Sequence, residues 1–287
     1  MQVYDQTADM NAGPDVFDPP AAGNGNPGNE KTLYFFGMRV DNTRCETALR
    51  TIDHFIAGND GSGARKVFFT NVHSIQLGRS SREFQRCVNR ADLVLPDGSG
   101  LALAGKLSGT RILENLNGTD FTPKVLARAE EHGWTVYLLG AEERIVERCK
   151  ERLSVRYPRL TITGYHHGHF SAGENRAIIE EINRNAPDIL LVALGSPYQE
   201  EWIARHARSL RVGVCMAVGG FFDFVSGVRP RAPRWMRRLG MEWLFRFVKD
   251  PLNKWERIVI EIPSFLILLL ASRLMPKQLP TEKEFSS

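Results

Sequence analysis

The chain of 287 residues has few cysteines and little net charge. Its cysteines are widely spaced with no pair at metal-ligand spacing, so we expect buried free thiols in a reducing compartment. They are Cys45, Cys87, Cys149 and Cys215. The N-terminus shows no basic stretch followed by an apolar one, so we expect no signal peptide. A formal net charge of +4 gives no argument for a nucleic-acid partner.

A long uninterrupted apolar run is also missing. The most apolar stretch, residues 258–271, is broken by Glu261 and Pro263, and its unbroken part is shorter than the roughly 20 residues that span a bilayer. Basic residues flank it, which favours a helix lying in the membrane interface. The alternative is a helix packed on the domain or on a second copy of the chain, so a homo-oligomer stays possible beside a monomer.

Strand-like and helix-like patterns alternate through most of the chain. This order predicts an α/β fold, a Rossmann-like and mostly parallel sheet flanked by helices. Residues 188–194 are almost wholly apolar, as in a parallel strand covered on both faces. The polar residues 1–30 predict a disordered leader. We expect the catalytic domain at 31–228 and a helical C-terminal appendage at 229–287.

The predicted elements have clear boundaries in several places. Strands are expected at 33–40, 66–70, 93–95, 135–139, 160–163, 188–194 and 212–217. Thr122, followed by Pro123, is expected to cap a helix that Gly133 ends. Ser171 and Glu174 form a predicted capping box for another helix.

Polar residues and glycines follow five of the predicted strands. In parallel sheets, ligands bind beyond the carboxyl ends of the strands, so these residues predict a binding site there. They are Asn71, His73, Asp97, Gly140, Gly195, Gln199, Gly219 and Gly220. Asp97 stands on a turn between Pro96 and Gly98, where a carboxylate can act as a general base or simply accept hydrogen bonds from its own turn.

The appendage begins with a cluster of cations. Arg231, Arg234, Arg237 and Arg238 are interleaved with apolar residues at helical spacing, such as Trp235, Leu239 and Trp243. Guanidinium groups bind phosphate bidentately and stay charged, so the cluster predicts a site for a phosphorylated ligand. A solvated or membrane-surface basic helix is the alternative.

Other chemistries have weaker signals. Gly98-Ser-Gly100 begins a dinucleotide fingerprint, but Leu103 stands where the third glycine belongs. His166, His167 and His169 lack a carboxylate or cysteine at ligand spacing, so we expect no metal site. The chain contains no Asp-x-Asp pair to hold a metal against a sugar diphosphate, so arginines would have to neutralise that group.

Several long motifs, in order over about residues 35–260, resemble the WecG/TagA/CpsF glycosyltransferases, which transfer a sugar from a UDP-sugar to a lipid-linked acceptor. The motifs are Ala91–Gly100 (ADLVLPDGSG), Asn117–Asp120 (NGTD), Ala186–Trp202, Gly219–Gly227, Arg231–Met236 and Gly240–Trp243. The resemblance implies an enzyme that needs no cofactor and acts on a polyprenyl-diphosphate-linked sugar at the cytoplasmic face of the bacterial inner membrane.

The resemblance also implies residue roles. Asp97 matches the general base, and Gln199 and Glu200 match a Pro-x-Gln-Glu motif at the nucleotide-sugar pocket. The appendage arginines match a segment thought to close over the active site. Expected substrate contacts are Asn71, His73, Asn115, Asp120, Gly140, Gly195, Gln199, Glu200, Gly219, Gly220, Arg231, Arg234, Arg237 and Arg238.

Two departures from the family pattern concern the sugar. Residues 70–73 read Thr-Asn-Val-His where many members carry Thr-x-Asn, and Glu114-Asn-Leu-Asn117 lacks an arginine found in many members. N-acetylmannosamine is the common donor sugar in the family, but we favour glucose, as in some exopolysaccharide members. The rival functions are a non-catalytic membrane-surface module and, less supported, a dinucleotide-dependent oxidoreductase.

Overall fold

The structure is a computed structural model that describes residues 30–107, 109, 111–233, 236, 244, 245, 263–265 and 267. The strands are β1 (Lys31–Phe35), β2 (Met38–Asn42), β3 (Arg65–Thr70), β4 (Leu93–Pro96), β5 (Thr135–Gly140), β6 (Thr161–His166), β7 (Ile189–Ala193) and β8 (Val214–Ala217). The helices are α1 (Cys45–Ala57), α2 (Val72–Ser80), α3 (Arg82–Asn89), α4 (Ser99–Leu107), α5 (Gly118–His132), α6 (Glu143–Arg156), α7 (Asn175–Asn185), α8 (Tyr198–His206) and α9 (Phe221–Ser226).

Strands β3 to β8 form one six-stranded sheet in the order β4-β3-β8-β7-β5-β6, and each neighbouring pair is parallel. This confirms the predicted α/β class. Strand β7 is buried at every position, because helices cover both faces of the sheet. The prediction from its apolar sequence is therefore correct.

Side chains of the strands alternate between two cores. Val67 and Phe69 of β3 pack with α1, α5, α6 and α9, whereas Phe68 packs on the other face with α2, α3, α7 and α8. The period of two follows from strand geometry. Cys149 and Cys215 are buried free thiols, as expected, whereas Cys45 and Cys87 are only half-buried.

The first predicted strand is wrong in extent. Residues 33–40 were expected to form one strand, but β1 and β2 form an antiparallel hairpin with a two-residue turn. Phe36 and Gly37 both have positive φ, 51° and 80°, as a type I′ turn requires. Phe is rare in such a turn, so the sequence of residues 33–40 predicts one continuous strand and not a hairpin. The hairpin docks on the sheet edge, where Val94 N donates to Asp41 Oδ2 at 2.9 Å.

Helix α5 begins earlier than predicted. Asn117, and not Thr122, is the N-cap, since its Oδ1 accepts from Asp120 N at 2.9 Å. Pro123 therefore lies inside the helix and not at its start. Two other predicted helix signals are confirmed, because Gly133 ends α5 with φ of 72° and Ser171 and Glu174 form the capping box.

The C-terminal region is described at a few positions only, where the backbone is helical. Phe265 is fully buried, and its ring centroid lies 5.7 Å from that of Phe36. Gln76 Nε2 also donates to Ser264 Oγ at 3.3 Å. At these residues the chain packs on its own domain, which was the alternative to membrane contact. Residues 258–262, 266 and 268–271, Arg234, Arg237, Arg238 and residues 1–29 lie outside the described part.

Among the residues that the structure describes, no helix is both long and apolar enough to cross a membrane.

Candidate active site

The parallel sheet brings most predicted site residues to one edge. Asn71 and His73 follow β3, Asp97 follows β4, and Gly219 follows β8. Gly140 ends β5, and Gly195 comes two residues after β7. Because all six strands are parallel, their carboxyl ends share this edge, as the sequence predicts. Helices α2, α4, α6 and α8 begin here too, and their N-termini favour a negatively charged ligand.

Asp97 is oriented by Asn71 at this edge. Asn71 Nδ2 donates to Asp97 Oδ2 at 3.3 Å. The Asn71 amide has a defined direction, since its Oδ1 caps α2 by accepting from Ser74 N at 3.0 Å. The nitrogen therefore has to point away from the helix and toward Asp97. His73 lies half-buried in the first turn of α2.

The turn that carries Asp97 is held on both sides by one short segment. Leu116 N donates to the Pro96 carbonyl at 2.9 Å, and Gly98 N donates to Asn115 Oδ1 at 2.7 Å. Asp97 N itself donates to the Thr70 carbonyl at 2.9 Å. The backbone around the half-buried carboxylate is therefore fixed before any ligand binds.

Asp120 and Arg231, both predicted as substrate contacts, form an ion pair with each other. Arg231 Nη1 lies 2.7 Å from Asp120 Oδ1. The other oxygen, Oδ2, accepts from Asn117 Nδ2 at 2.9 Å. The Arg231 guanidinium also lies over the Phe224 ring, 5.8 Å from its centroid. These contacts attach the start of the appendage to the N-terminus of α5.

Gln199 and Glu200 lie beneath the edge. Gln199 is 4% exposed and Glu200 is 2% exposed. Gly219 N donates to Gln199 Oε1 at 3.0 Å, and Gln199 Nε2 donates to Glu200 Oε1 at 2.8 Å. Gln199 thus joins the loop after β8 to α8. Direct contact of either side chain with a sugar nucleotide remains a prediction.

Glu200 has an unusual environment for a carboxylate. Burial raises its pKa to about 7, against the lowering effect of hydrogen bonds from Gln199 and from Ser196 Oγ, which donates at 2.7 Å. Its second oxygen, Oε2, is buried without a hydrogen-bond partner in the described part of the chain. The carboxyl group is therefore partly protonated near neutral pH.

The backbone conformation and the close neighbours of Gly140 exclude a side chain at this position. Its φ is 133°, and a Cβ there would collide with the Ala193 carbonyl oxygen. Any larger residue would separate β5 from β7 at the edge. Gly195 and Gly220 are exposed and Gly219 is half-exposed, which suits close approach of a ligand.

The three histidines at the end of β6 and just after it, His166, His167 and His169, contact one another. His166 Nδ1 and the His167 carbonyl are 2.8 Å apart, and the two rings are 4.5 Å apart. Within the described residues no group of three or more histidine, cysteine or carboxylate side chains has metal-site geometry. That the site works without a metal stays a prediction.

Sequence reasoning missed two residues that position the site. Asn117 caps α5 and holds Asp120, and Ser196 binds Glu200. Asn three residues before an acidic residue is an N-cap signal, but Pro123 drew the prediction to Thr122. The sequence places Ser196 at the start of α8, but it does not specify the hydrogen bond to Glu200.

A parallel α/β sheet with an oriented carboxylate and several helix N-termini at its carboxyl edge is typical of an enzyme that acts on a phosphorylated substrate. The chain belongs to the glycosyl transferase WecG/TagA/CpsF family, whose model matches residues 33–279. It is a glycosyltransferase, and the resemblance inferred from its motifs is confirmed.

Two relatives show the likeness over about two thirds or more of each chain. The chain is 30% identical over 189 residues to the N-acetylglucosaminyldiphosphoundecaprenol N-acetyl-beta-D-mannosaminyltransferase of Bacillus subtilis (strain 168), covering 66% of this chain and 72% of that protein. It is 28% identical over 240 residues to the protein of the same name from Staphylococcus aureus (strain MW2), covering 83% and 92%.

Proposed function

We propose that the enzyme transfers a hexose from a UDP-sugar to a polyprenyl-diphosphate-linked sugar, with inversion and without a metal, in the synthesis of a cell-surface polysaccharide. The names of both relatives support a diphosphate-linked polyprenyl acceptor. The observation that carries the mechanism is Asp97 at the end of β4, oriented by Asn71 at 3.3 Å. We place the reaction at the cytoplasmic face of the inner membrane, where such an acceptor would be reached.

Asp97 takes the proton from the attacking hydroxyl of the acceptor. The hydroxyl oxygen forms a bond to the anomeric carbon, the bond from that carbon to the diphosphate oxygen breaks, and its electron pair leaves with UDP. The helix N-termini at the edge and the appendage arginines Arg234, Arg237 and Arg238 stabilise the developing negative charge. The absence of an Asp-x-Asp pair from the sequence supports cations of the protein in this role.

The donor sugar is either N-acetylmannosamine or glucose. Both relatives are named as N-acetylmannosaminyltransferases, which supports the first sugar and weighs against our preference for glucose. Asn115 keeps glucose open, because it lies in the segment where many family members carry an arginine, is exposed, and accepts from Gly98 N at 2.7 Å beside Asp97. A neutral amide there presents different chemistry to a sugar than an arginine would.

A donor screen tests the proposal. Purified enzyme with EDTA is given UDP-N-acetylmannosamine, UDP-glucose or UDP-N-acetylglucosamine together with a polyprenyl-diphosphate-linked N-acetylglucosamine, and UDP release and product mass are measured. We expect one donor to yield a product heavier by one hexose unit. Liposome or nucleotide binding without UDP release from any donor would instead indicate the non-catalytic membrane-surface module.

Asp97→Asn tests the general base. Loss of a positioned base lowers a rate by roughly 10²- to 10⁴-fold, so kcat should fall by that factor while the Kd of UDP changes little. Asp60→Asn is the matched control, since Asp60 accepts from Ser62 N at 2.9 Å in the loop before β3, at the opposite edge of the sheet. Near-normal turnover by Asp97→Asn would remove Asp97 from this role.

A further inference from the structure

The ion pair of Asp120 and Arg231 joins two distant parts of the chain at the candidate active site. The Nη1–Oδ1 distance is 2.7 Å, and the side chains are 42% and 24% exposed for Asp120 and Arg231. Next to Arg231, Ala232 is only 3% exposed. The chain is therefore packed against the domain at the point where the appendage begins.

The same pair is connected to the turn of Asp97 through a continuous set of contacts. Asp120 Oδ2 accepts from Asn117 Nδ2 at 2.9 Å. The two residues before Asn117 hold both neighbours of Asp97, because Leu116 N donates to the Pro96 carbonyl and Asn115 Oδ1 accepts from Gly98 N. A displacement of Asp120 would be transmitted to Asp97 through only three residues.

The opposite charges of the pair bear on whether Arg231 can bind the diphosphate. Arg231 faces a carboxylate at 2.7 Å, so the two groups largely cancel each other's field at the site. A diphosphate approaching Arg231 would also meet the negative charge of Asp120. Arg231 is thus poorly suited to neutralise a leaving diphosphate, although the arginine cluster to which it belongs predicts a phosphate site.

We infer that Asp120 and Arg231 form a positioning pair, which holds the start of the appendage beside Asp97, and that Arg231 acts through Asp120 and not on the diphosphate. The inference rests on the proposed function for the reaction that it positions. It assigns contact with the diphosphate to other cations.

A double-mutant cycle tests the pair. Asp120→Asn, Arg231→Gln and the double variant are compared for kcat/KM, for the Kd of UDP by calorimetry and for thermal unfolding. A positioning pair predicts that each single variant lowers kcat/KM by roughly 10- to 100-fold and that the double variant loses no more, because misplacement of a site has effects of that size. Asp120 and Arg231 variants should change the Kd of UDP by the same factor. Asp120→Glu keeps a carboxylate opposite Arg231 and should recover most of the loss.

A matched control and three outcomes make the test decisive. Arg176→Gln removes a surface cation whose Nε pairs with Glu180 Oε1 at 2.9 Å on α7, which follows β6 at the opposite end of the sheet from β4, and should leave kcat/KM near that of the wild type. The inference is overturned if Arg231→Gln weakens UDP binding while Asp120→Asn strengthens it, which is the signature of a direct diphosphate contact. Additive losses in the double variant, or no loss in either single variant, overturn it as well.

The proposed function can fail separately. If the wild type releases no UDP with any donor, the glycosyl transfer proposed above is wrong. Equal effects of the three variants on the Kd of UDP and on the unfolding temperature would still support the pair, and unequal effects would still contradict it.

Discussion

At the scale of single residues, Asn71 has two separate tasks that mutagenesis can divide. Its Oδ1 caps α2, and its Nδ2 orients Asp97. Asn71→Ser keeps a capping oxygen but loses the amide, so we expect near-normal stability and a kcat/KM lowered by roughly 10- to 100-fold. Asn71→Ala loses both contacts and should also lower the free energy of unfolding by about 1 kcal/mol. Urea unfolding and steady-state kinetics measure the two effects.

The control for Asn71 is another capped helix. Ser81 Oγ accepts from Phe84 N at 3.1 Å at the start of α3, so Ser81→Ala should cost similar stability without changing turnover. Asn71→Ser with normal kcat/KM would show that the 3.3 Å contact does not orient the base.

The sequence predicts single residues of the site better than their partners. The positions of Asn71, Asp97 and Gly140 follow from the ends of apolar strands, since strand direction alone decides the edge at which they lie. The pairing of Asp120 with Arg231 does not follow, because the two residues are 111 positions apart and charge patterns do not specify distant partners. The orientation of the Asn71 amide also needs the helix cap as a reference.

At the scale of elements, the loop after β8 and helix α8 are joined by a buried network whose stability we expect to depend on pH. Burial raises the pKa of Glu200 to about 7 from an ordinary 4.5. A raised pKa means that the stabilising effect of the proton is fully present below about pH 4.5 and is lost as pH rises through about 7. Deprotonation of Glu200 should therefore lower the free energy of unfolding by on the order of 3 kcal/mol across this range.

Glu200→Gln removes this titration. Urea unfolding at several pH values from 5 to 8.5 should show a smaller fall in stability toward alkaline pH than in the wild type, so the variant gains relative stability above about pH 7. Glu180→Gln is a suitable control, because Glu180 is exposed and paired only with Arg176 on the surface of α7 among the contacts described. Parallel curves for the wild type and Glu200→Gln would contradict the raised pKa.

Elements differ in how well their sequences specify them. The sequence predicts strand β7 because its five residues are all apolar, as in a strand that is covered on both faces. The β1–β2 hairpin was not, because its turn places Phe36 at a φ of 51°, where asparagine or glycine is usual. The start of α5 was misplaced because proline is common at the first helical position but is here tolerated inside the helix.

At the scale of the whole molecule, the C-terminal region bears on both the stability of the domain and its contact with a membrane. Ser264 and Phe265 contact α2 and the β1–β2 turn, which lie on the same face of the sheet. The sequence indicated an amphipathic segment but gave no means to choose between a membrane and the domain as the partner of its apolar side. Packing on the domain and contact with a membrane are compatible when one side of the helix is buried against the domain and another side is exposed.

Phe265 and Ile267 separate the two uses. Phe265 is fully buried and Ile267 is 64% exposed. Phe265→Ala should lower the free energy of unfolding by roughly 3 kcal/mol or more, since it leaves a cavity beside Phe36. Ile267→Asn should leave stability within about 0.5 kcal/mol, as for other surface changes, but should reduce sedimentation with anionic liposomes if this side of the segment meets the membrane. Val155→Asn makes the same kind of change on α6, where Val155 is 82% exposed, and should reduce neither. Equal liposome binding by Ile267→Asn and the wild type would exclude Ile267 from membrane contact, and an unchanged unfolding temperature for Phe265→Ala would contradict the packing of this segment on the domain.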